Sequence, residues 1–367
     1  MQKLISFLKS EIVLTVALLA ALLSMLIVPP DAAYAAYVDA DVLMLLFSLM
    51  TVVAGLKRCG LMDRICTALV TRAKSARMLC MALSLACFFS AMLVTNDVAL
   101  ITFVPLTCAL LASLPRELIL TVTIETIAAN LGSMATPIGN PQNLYLYSHY
   151  EMPMGTFLRA VGPLTLVSLL LVLLCCLLVR RATLAAPAQE DVRRLPALPL
   201  LVHGVQFALC LLSVLGALPK WVSFIAVLAS TLVYCRALVR EVDYALLATF
   251  VCFFVFVGNL GRIEAVSGLL SSVIAGREME VGILASQVIS NVPAALMLSG
   301  FTQDAASLMR GVNLGGLGTL VASLASLISF KLYAKAPGAK TGNYLAVFTT
   351  LNAACLVVLY ALAKFGL

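Results

Sequence analysis

The sequence predicts an all-α polytopic membrane protein made of two inverted halves, and three observations carry that prediction. The first is composition: of 367 residues, 62% are hydrophobic and 11% charged, where a soluble domain has about 45–50% and about 25%. The second is pattern. The apolar runs are long, recur along the whole chain and do not alternate, so they read as helices and not as barrel strands. The third is an interruption, NLGSMATPIGNPQN at 130–143, inside what is otherwise one apolar span. Glycine and proline at that density break a helix. In a bilayer each backbone group left unpaired costs several kcal/mol. Such a break persists only where protein or a water-filled cavity covers it, and a broken helix rich in small polar side chains at membrane depth reads as a binding site.

In chain order, full spans fall at about 11–28, 41–56, 117–147 (broken), 157–179, 199–217, 221–237, 243–258, 305–333 (broken) and 344–365, lengths suited to a hydrocarbon core of about 30 Å. Lys3, Lys9 and the apolar stretch 12–28 followed by AAYAA have the look of a secretory signal; the repeat described below requires a retained first span instead. Two further apolar pairs, 78–94 with 98–113 and 281–289 with 292–301, are each split by a short polar tip. The arms of the second pair have about ten residues against the roughly 20 needed to span, so this pair reads as a re-entrant hairpin. The first pair is read in the same way. Segments 60–76 and 260–277 mix charge with apolar residues and suit the membrane interface. Tyr145 and Tyr147 suit an interfacial belt.

With the N-terminus inside, 18 of the 24 Lys and Arg fall in cytoplasmic segments, the asymmetry expected of a correct orientation. The net charge of +7 therefore sits in loops between spans and does not point to nucleic acid. The chain also repeats itself. NLGSMATPIGNPQNL at 130–144 aligns with NLGGLGTLVASLASL at 313–327, placing Asn130 on Asn313, Gly132 on Gly315 and Thr136 on Thr319. Thr95-Asn96 matches Ser290-Asn291, and 46–55 resembles 249–258. The order within each half is two spans, hairpin, broken span, final span. The domain reading is a first repeat over 1–181, a linker with one extra span over 182–220, and a second repeat over 221–367, turned over by that span. This is the inverted-topology architecture of many secondary transporters.

Two tips and two breaks converge near the midplane in such an arrangement. Helices that begin there offer free N–H groups to an anion, and helices that end there offer free carbonyls to a cation. Thr95, Asn96, Asp97, Ser290 and Asn291 are good N-cap types, so capping of buried helix ends is the plain alternative to function. The candidate substrate and ion residues are Thr95, Asn96 and Asp97 at the first tip, followed by Asn130, Gly132, Ser133, Thr136, Pro137, Gly139, Asn140 and Asn143 at the first break. Ser290, Asn291, Val292 and Pro293 at the second tip and Asn313, Gly315, Gly316, Gly318 and Thr319 at the second break complete the set. Glu125, five residues before Asn130, either lines the route to the site or pairs within the bundle. Asp304 and Arg310 form an entrance or a local pair. Asp31, Asp39 and Asp41 read as caps, and His149 faces water. The 11 cysteines show no CxxC pair and read as small apolar packing residues. No HExxH, GxGD, GxSxG or Walker A sequence occurs, which argues against an intramembrane enzyme or an ATP-driven pump.

The combination TND…ANLGSMATPIGNPQNL…SNVPAALML resembles the ion-transporter superfamily that contains arsenite and silicate efflux permeases, sodium/proton antiporters, citrate permeases and divalent-anion:sodium symporters. The resemblance covers nearly the whole chain. It implies two scissor-like hairpins, an elevator-type movement of a transport domain against a scaffold, a homodimer, and a coupling ion, Na+ or H+, with no other cofactor. It further implies two pseudo-symmetric ion and substrate sites, one built from Asn96, Gly132 and Thr136 and the other from Asn291, Gly315 and Thr319. The carboxylate symporters of that superfamily carry Ser-Asn-Thr at both tips, whereas the third positions here are Asp97 and Val292. A buried carboxylate resists ionisation unless paired or well hydrogen-bonded, so Asp97 reads as a carrier of the coupling ion or proton, or as an N-cap. The expected activity is secondary transport of a small inorganic or organic anion across the bacterial inner membrane. A cation/proton antiporter on the same scaffold is the alternative, and a passive channel fits the inverted halves less well.

Overall fold

The computed structural model describes residues 11–70, 73–184 and 195–365; Lys3, Lys9 and most of the 182–198 linker lie outside the described residues. Within them the regular structure is helical, apart from one isolated antiparallel bridge between Ser75 and Thr183. The chain runs α1 (Ile12–Ile27), α2 (Tyr34–Tyr37), α3 (Ala40–Arg58), α4 (Leu61–Val70), α5 (Ala76–Val94), α6 (Asn96–Leu110), α7 (Pro115–Ser133), α8 (Pro141–His149) and α9 (Met154–Cys176). It continues with α10 (Ala197–Val214), α11 (Lys220–Cys235), α12 (Tyr244–Gly261), α13 (Glu264–Ile274), α14 (Glu278–Ile289), α15 (Asn291–Ser299), α16 (Ala305–Leu314), α17 (Leu324–Ala334) and α18 (Thr341–Phe365). From α3 to α9 and again from α12 to α18 the order is the same: long helix, short amphipathic helix, hairpin, broken helix, long helix.

Among the described residues seven helices are long and apolar enough to cross a membrane. Six of them match spans expected from the sequence. The seventh is α5, the first arm of the first hairpin; its 19 residues make about 28 Å of helix. The second hairpin has arms of 12 and 9 residues. The protein is an integral membrane protein, and its exposed leucines and valines, along α1, α9 and α10 for example, form the surface a bilayer would cover.

Local chemistry sets the helix ends. Asp39 caps α3 by accepting from the Val42 N–H at 3.0 Å, and Asp243 caps α12 through Leu246 at 2.9 Å. Asp304 caps α16 through Ser307 at 3.0 Å, so it is not paired with Arg310, whose Nε instead donates to the Ala160 carbonyl at 2.8 Å. Asp31 bonds Arg262 at 2.8 Å and Asp41 bonds Lys220 at 3.3 Å. With Arg58–Glu241 and Lys364–Glu280, each of these inter-element ion pairs joins two groups that the loop-charge map puts on the same side.

The interior is organised as two large cores. One is built from α5, α6, α7, the end of α9 and α18; the other from α3, α8, α12, α15 and α16. Both broken helices change core at their breaks. α7 belongs to the first core and α8, through Leu144–Tyr147, to the second; α16 belongs to the second and α17, through Ala325 and Tyr333, to the first. Tyr145 and Tyr147 are therefore core residues and not an interfacial belt: Tyr145 is packed on Phe250 and Phe254 and its hydroxyl meets Ser299 at 2.7 Å. His149, at the end of the same helix, is exposed.

α3 closes on α10 at Gly55. A Cβ there would lie 2.4 Å from the His203 ring, which is buried and held by Gln206 at 2.8 Å. Gly55→Val is expected to force the two helices apart and to destabilise the fold by about 1–3 kcal/mol, read as a lower unfolding temperature of the detergent-purified protein.

Candidate ion and substrate site

The two hairpin tips adopt one unusual conformation twice. Thr95 has φ 72 and ψ 153; Ser290 has φ 74 and ψ 155. Both stand at the N-cap positions of α6 and α15, yet neither hydroxyl makes a capping bond. A capping side chain needs an extended backbone beneath it, and positive φ turns these hydroxyls elsewhere. The Ser290 hydroxyl is buried without a partner. Asp97 is likewise not an N-cap: it lies in the first turn of α6, just inside the helix.

Beneath the tips, the breaks interlock. The Asn130 side-chain oxygen accepts from Asn96 Nδ2 and from Ser323 Oγ, both at 3.1 Å. Its amide nitrogen donates to Ser326 Oγ at 3.2 Å and to the Gly316 carbonyl at 3.4 Å. Asn313 does the converse: its oxygen accepts from Asn140 Nδ2 at 3.1 Å, and its nitrogen donates to Asn143 Oδ1 at 2.6 Å and to the Met309 carbonyl at 2.8 Å. In the alignment of the two halves Asn140 falls on Ser323 and Asn143 on Ser326, so each asparagine grips the matching pair in the other break. Asn140 also caps α8, accepting from Asn143 N at 2.9 Å, and donates to Ser133 Oγ at 2.9 Å.

Each break is also pinned to its hairpin. Thr136 Oγ1 donates to the Met92 carbonyl at 2.5 Å and Thr319 Oγ1 to the Gln287 carbonyl at 3.2 Å, two bonds that coincide when the tips are aligned. Gly132 is obligatory, because a Cβ would stand 2.2 Å from the Phe88 carbonyl oxygen, and Gly139 because one would stand 2.1 Å from that of Ser133. Gly139 in turn accepts from the Asn96 N–H at 3.3 Å, and Pro137 is buried in the turn. On the second side Gly318 has φ 106 and lies against Gln287.

Two cavities of about 260 and 290 Å³ open above this lattice. The first is lined by Asn96, Asp97, Pro141, Gln142, Asn291, Val292, Pro293, Ser323, Leu324, Ala325, Asp243 and Lys331, among others. The second is lined by Thr95, Asp97, Asn140, Pro141 and Asp243, with α3 opposite. The starts of α6, α8, α15 and α17 thus face one space. The other candidates, from Asn130, Gly132, Ser133, Thr136 and Pro137 to Ser290, Asn313, Gly315, Gly316 and Thr319, line neither cavity and form the lattice below. Glu125 lines neither: it is fully buried, accepts from Thr107 Oγ1 at 2.5 Å, and its second oxygen has no partner.

Sequence reasoning missed Ser323, Ser326, Gln287, Asp243 and Lys331. The first two were visible as the partners of Asn140 and Asn143 in the repeat; the others are brought in only by tertiary packing.

A citrate transporter family profile matches residues 4–327. An uncharacterized transporter of Methanocaldococcus jannaschii is 31% identical over 324 residues, 87% of this chain and 88% of that protein. The inner membrane protein YbiR of Escherichia coli is 31% identical over 306 residues, 81% of each. A silicon efflux transporter of rice is 32% identical over 154 residues, 41% of this chain and 31% of its own length.

Removing the Asn130 side chain strips bonds from both halves at once while leaving buried partners unsatisfied. Asn130→Ala is expected to destabilise the protein by about 2–4 kcal/mol, visible as a large drop in unfolding temperature; Leu166→Ala, on an exposed face, is the control that should not shift it.

Proposed function

The chain belongs to the citrate transporter family, and from that premise we propose that it moves a small anion, an oxyanion or a carboxylate, across the bacterial inner membrane by coupling it to Na+ or H+. Secondary transport follows from the family and the transporter relatives. The anion reading rests on one observation: four helix starts, those of α6, α8, α15 and α17, line the same cavity. Helix N-termini present the positive end of the dipole, which favours negative charge. Lys331, exposed on α17 at the same cavity, adds a full positive charge. No step of this reading needs catalysis, and the protein is read as a transporter and not an enzyme.

The mechanism we infer is alternating access of the elevator type. The cavities lie between tip-and-break residues on one side and α3 and α12 on the other, so a substrate held there would travel with the hairpins against those helices. Glu11, Lys57, Glu241, Asp243 and Lys331 around the two openings are all cytoplasmic when the N-terminus is inside, and the conformation then reads as open to the cytoplasm. The two halves are read as inverted copies, with 182–220 as the connecting unit and a homodimer as the working assembly. We assign cation coupling to Asp97, which lines both cavities. A second reading, a cation/proton antiporter, is favoured by the two carboxylates, Asp97 and Asp243, that line both cavities.

Proteoliposomes separate these. Uptake of radiolabelled citrate, succinate, phosphate or arsenite driven by an imposed Na+ or pH gradient supports the anion reading; cation-for-proton exchange with no anion requirement supports the second. Asp97→Asn is expected to abolish the response to the driving gradient, by about tenfold or more in initial rate, and to flatten the pH profile. An unchanged profile removes Asp97 from the coupling role.

A further inference from the structure

The two halves use the same backbone plan, yet their tips differ in chemistry. At the first tip the Asn96 amide, which also lines the first cavity, is engaged at both ends: its nitrogen donates to Asn130 at 3.1 Å and its oxygen accepts from the Asp97 N–H at 3.0 Å. Its counterpart Asn291 is 4% exposed, lines the first cavity, and its side chain makes no hydrogen bond among the described residues. A largely buried amide that borders a cavity without a side-chain partner is open to a ligand.

The breaks differ as well. At the second break the carbonyls of Gly315 and Leu317 each accept from Gln287 Nε2 at 2.9 Å. Those oxygens are what a cation would use, and a side-chain amide already occupies them. The position matching Gln287 in the first half is Met92, whose side chain has no N–H; there Asn143 Nδ2 donates instead, to the Met134 and Thr136 carbonyls at 3.3 and 3.2 Å. The charged side chains differ by half although they share one cavity, where Lys331 of the second half faces Asp97 of the first tip together with Asp243 and Glu11. The first tip carries Asp97 where the second carries Val292. Beyond the second break, Ser323, Leu324, Leu327, Ile328 and Lys331 form one face of α17 along the first cavity. Lys331 is exposed and has no ion pair among the described residues.

We propose that the pseudo-symmetric site is divided by charge: the second half, through Asn291, the start of α17 and Lys331, takes the anion, and the first half, through Asp97, takes the positive coupling ion. Lys331 is then the residue that sets anion affinity. The inference rests on the anion-transport reading above and adds to it which half does which task. Carbonyls of both breaks already accept from side-chain amides, so the division rests on the tips and on α17, not on the breaks.

The test uses purified full-length protein and its variants Lys331→Gln, Lys331→Arg and Asp97→Asn. Binding of citrate, succinate, sulfate and phosphate is measured by calorimetry, and uptake by proteoliposomes under Na+ and pH gradients. For the best-bound anion, Lys331→Gln should weaken affinity about tenfold or more, the scale of one charge-assisted contact, and Lys331→Arg should restore most of it. The Na+ or pH dependence should stay that of the wild type. Asp97→Asn should show the opposite split, with anion affinity within about twofold and the ion dependence altered; the gradient that loses its effect identifies the ion as Na+ or H+. Wild-type binding with Lys331→Gln unaffected, or with Asp97→Asn costing as much anion affinity as Lys331→Gln, overturns the division while leaving anion transport standing. A wild type that binds none of the four anions overturns both.

Discussion

Backbone groups stranded at membrane depth are the constraint this structure is built around. At Gly132–Asn140 and again at Gly315–Ser323 the helix stops, and neither lipid nor a regular helical neighbour can pair what is left. The solution is the asparagine side chain. Its amide is a peptide unit on a stem, donor and acceptor together, and Asn130 and Asn313 each use both ends across the interface. Because Asn130 reaches into the second break and Asn313 into the first, neither break is complete without the other. A single such bond contributes about 0.5–1.5 kcal/mol net, but a partner left buried and unsatisfied costs more, so the lattice is cooperative.

That lattice sits on the seam between two hydrophobic cores. Each broken helix leaves one core and enters the other at its break, which is the reason the breaks have to be there. A continuous helix through 130–143 would run on in one core and could not hand the chain to the next. The same geometry leaves the starts of α8 and α17 bordering the cavity at the seam, beside the starts of α6 and α15 after the hairpin tips. The cavity is thus the space that remains when helices begin at a common level and none occupies the middle.

Much of this was legible in the chain. Membrane helices, hairpins and breaks are announced by apolar length and by Gly and Pro, signals that act locally and survive any packing. The correspondence of Asn130 with Asn313 needed only the alignment, which also held Ser323 and Ser326 in view as the partners of Asn140 and Asn143. Other features depend on what lies across the fold. Thr95 and Ser290 have capping side chains, but a positive φ withholds them from their helices. Tyr145 and Tyr147 look amphipathic, yet Phe250, Phe254 and Phe157 bury them. Lys331 and Asp243 belong to the cavity because α17 and α12 are carried to it by the rest of the bundle, and no local pattern marks them.

Sequence symmetry and chemical symmetry part company here for a physical reason. The backbone plan can be duplicated because glycine, a turn at positive φ and a threonine hydroxyl on the preceding hairpin carbonyl serve both halves equally, and the bonds Thr136–Met92 and Thr319–Gln287 show it doing so. Side chains facing the cavity are under no such rule. Two identical tips would present one charge twice, whereas these two present a carboxylate on one side only. Asp97 opposite Val292 is a change that leaves the hydrogen-bonded frame intact while altering the charge at the cavity. The frame is common to both halves; the few positions released from it differ between them in charge.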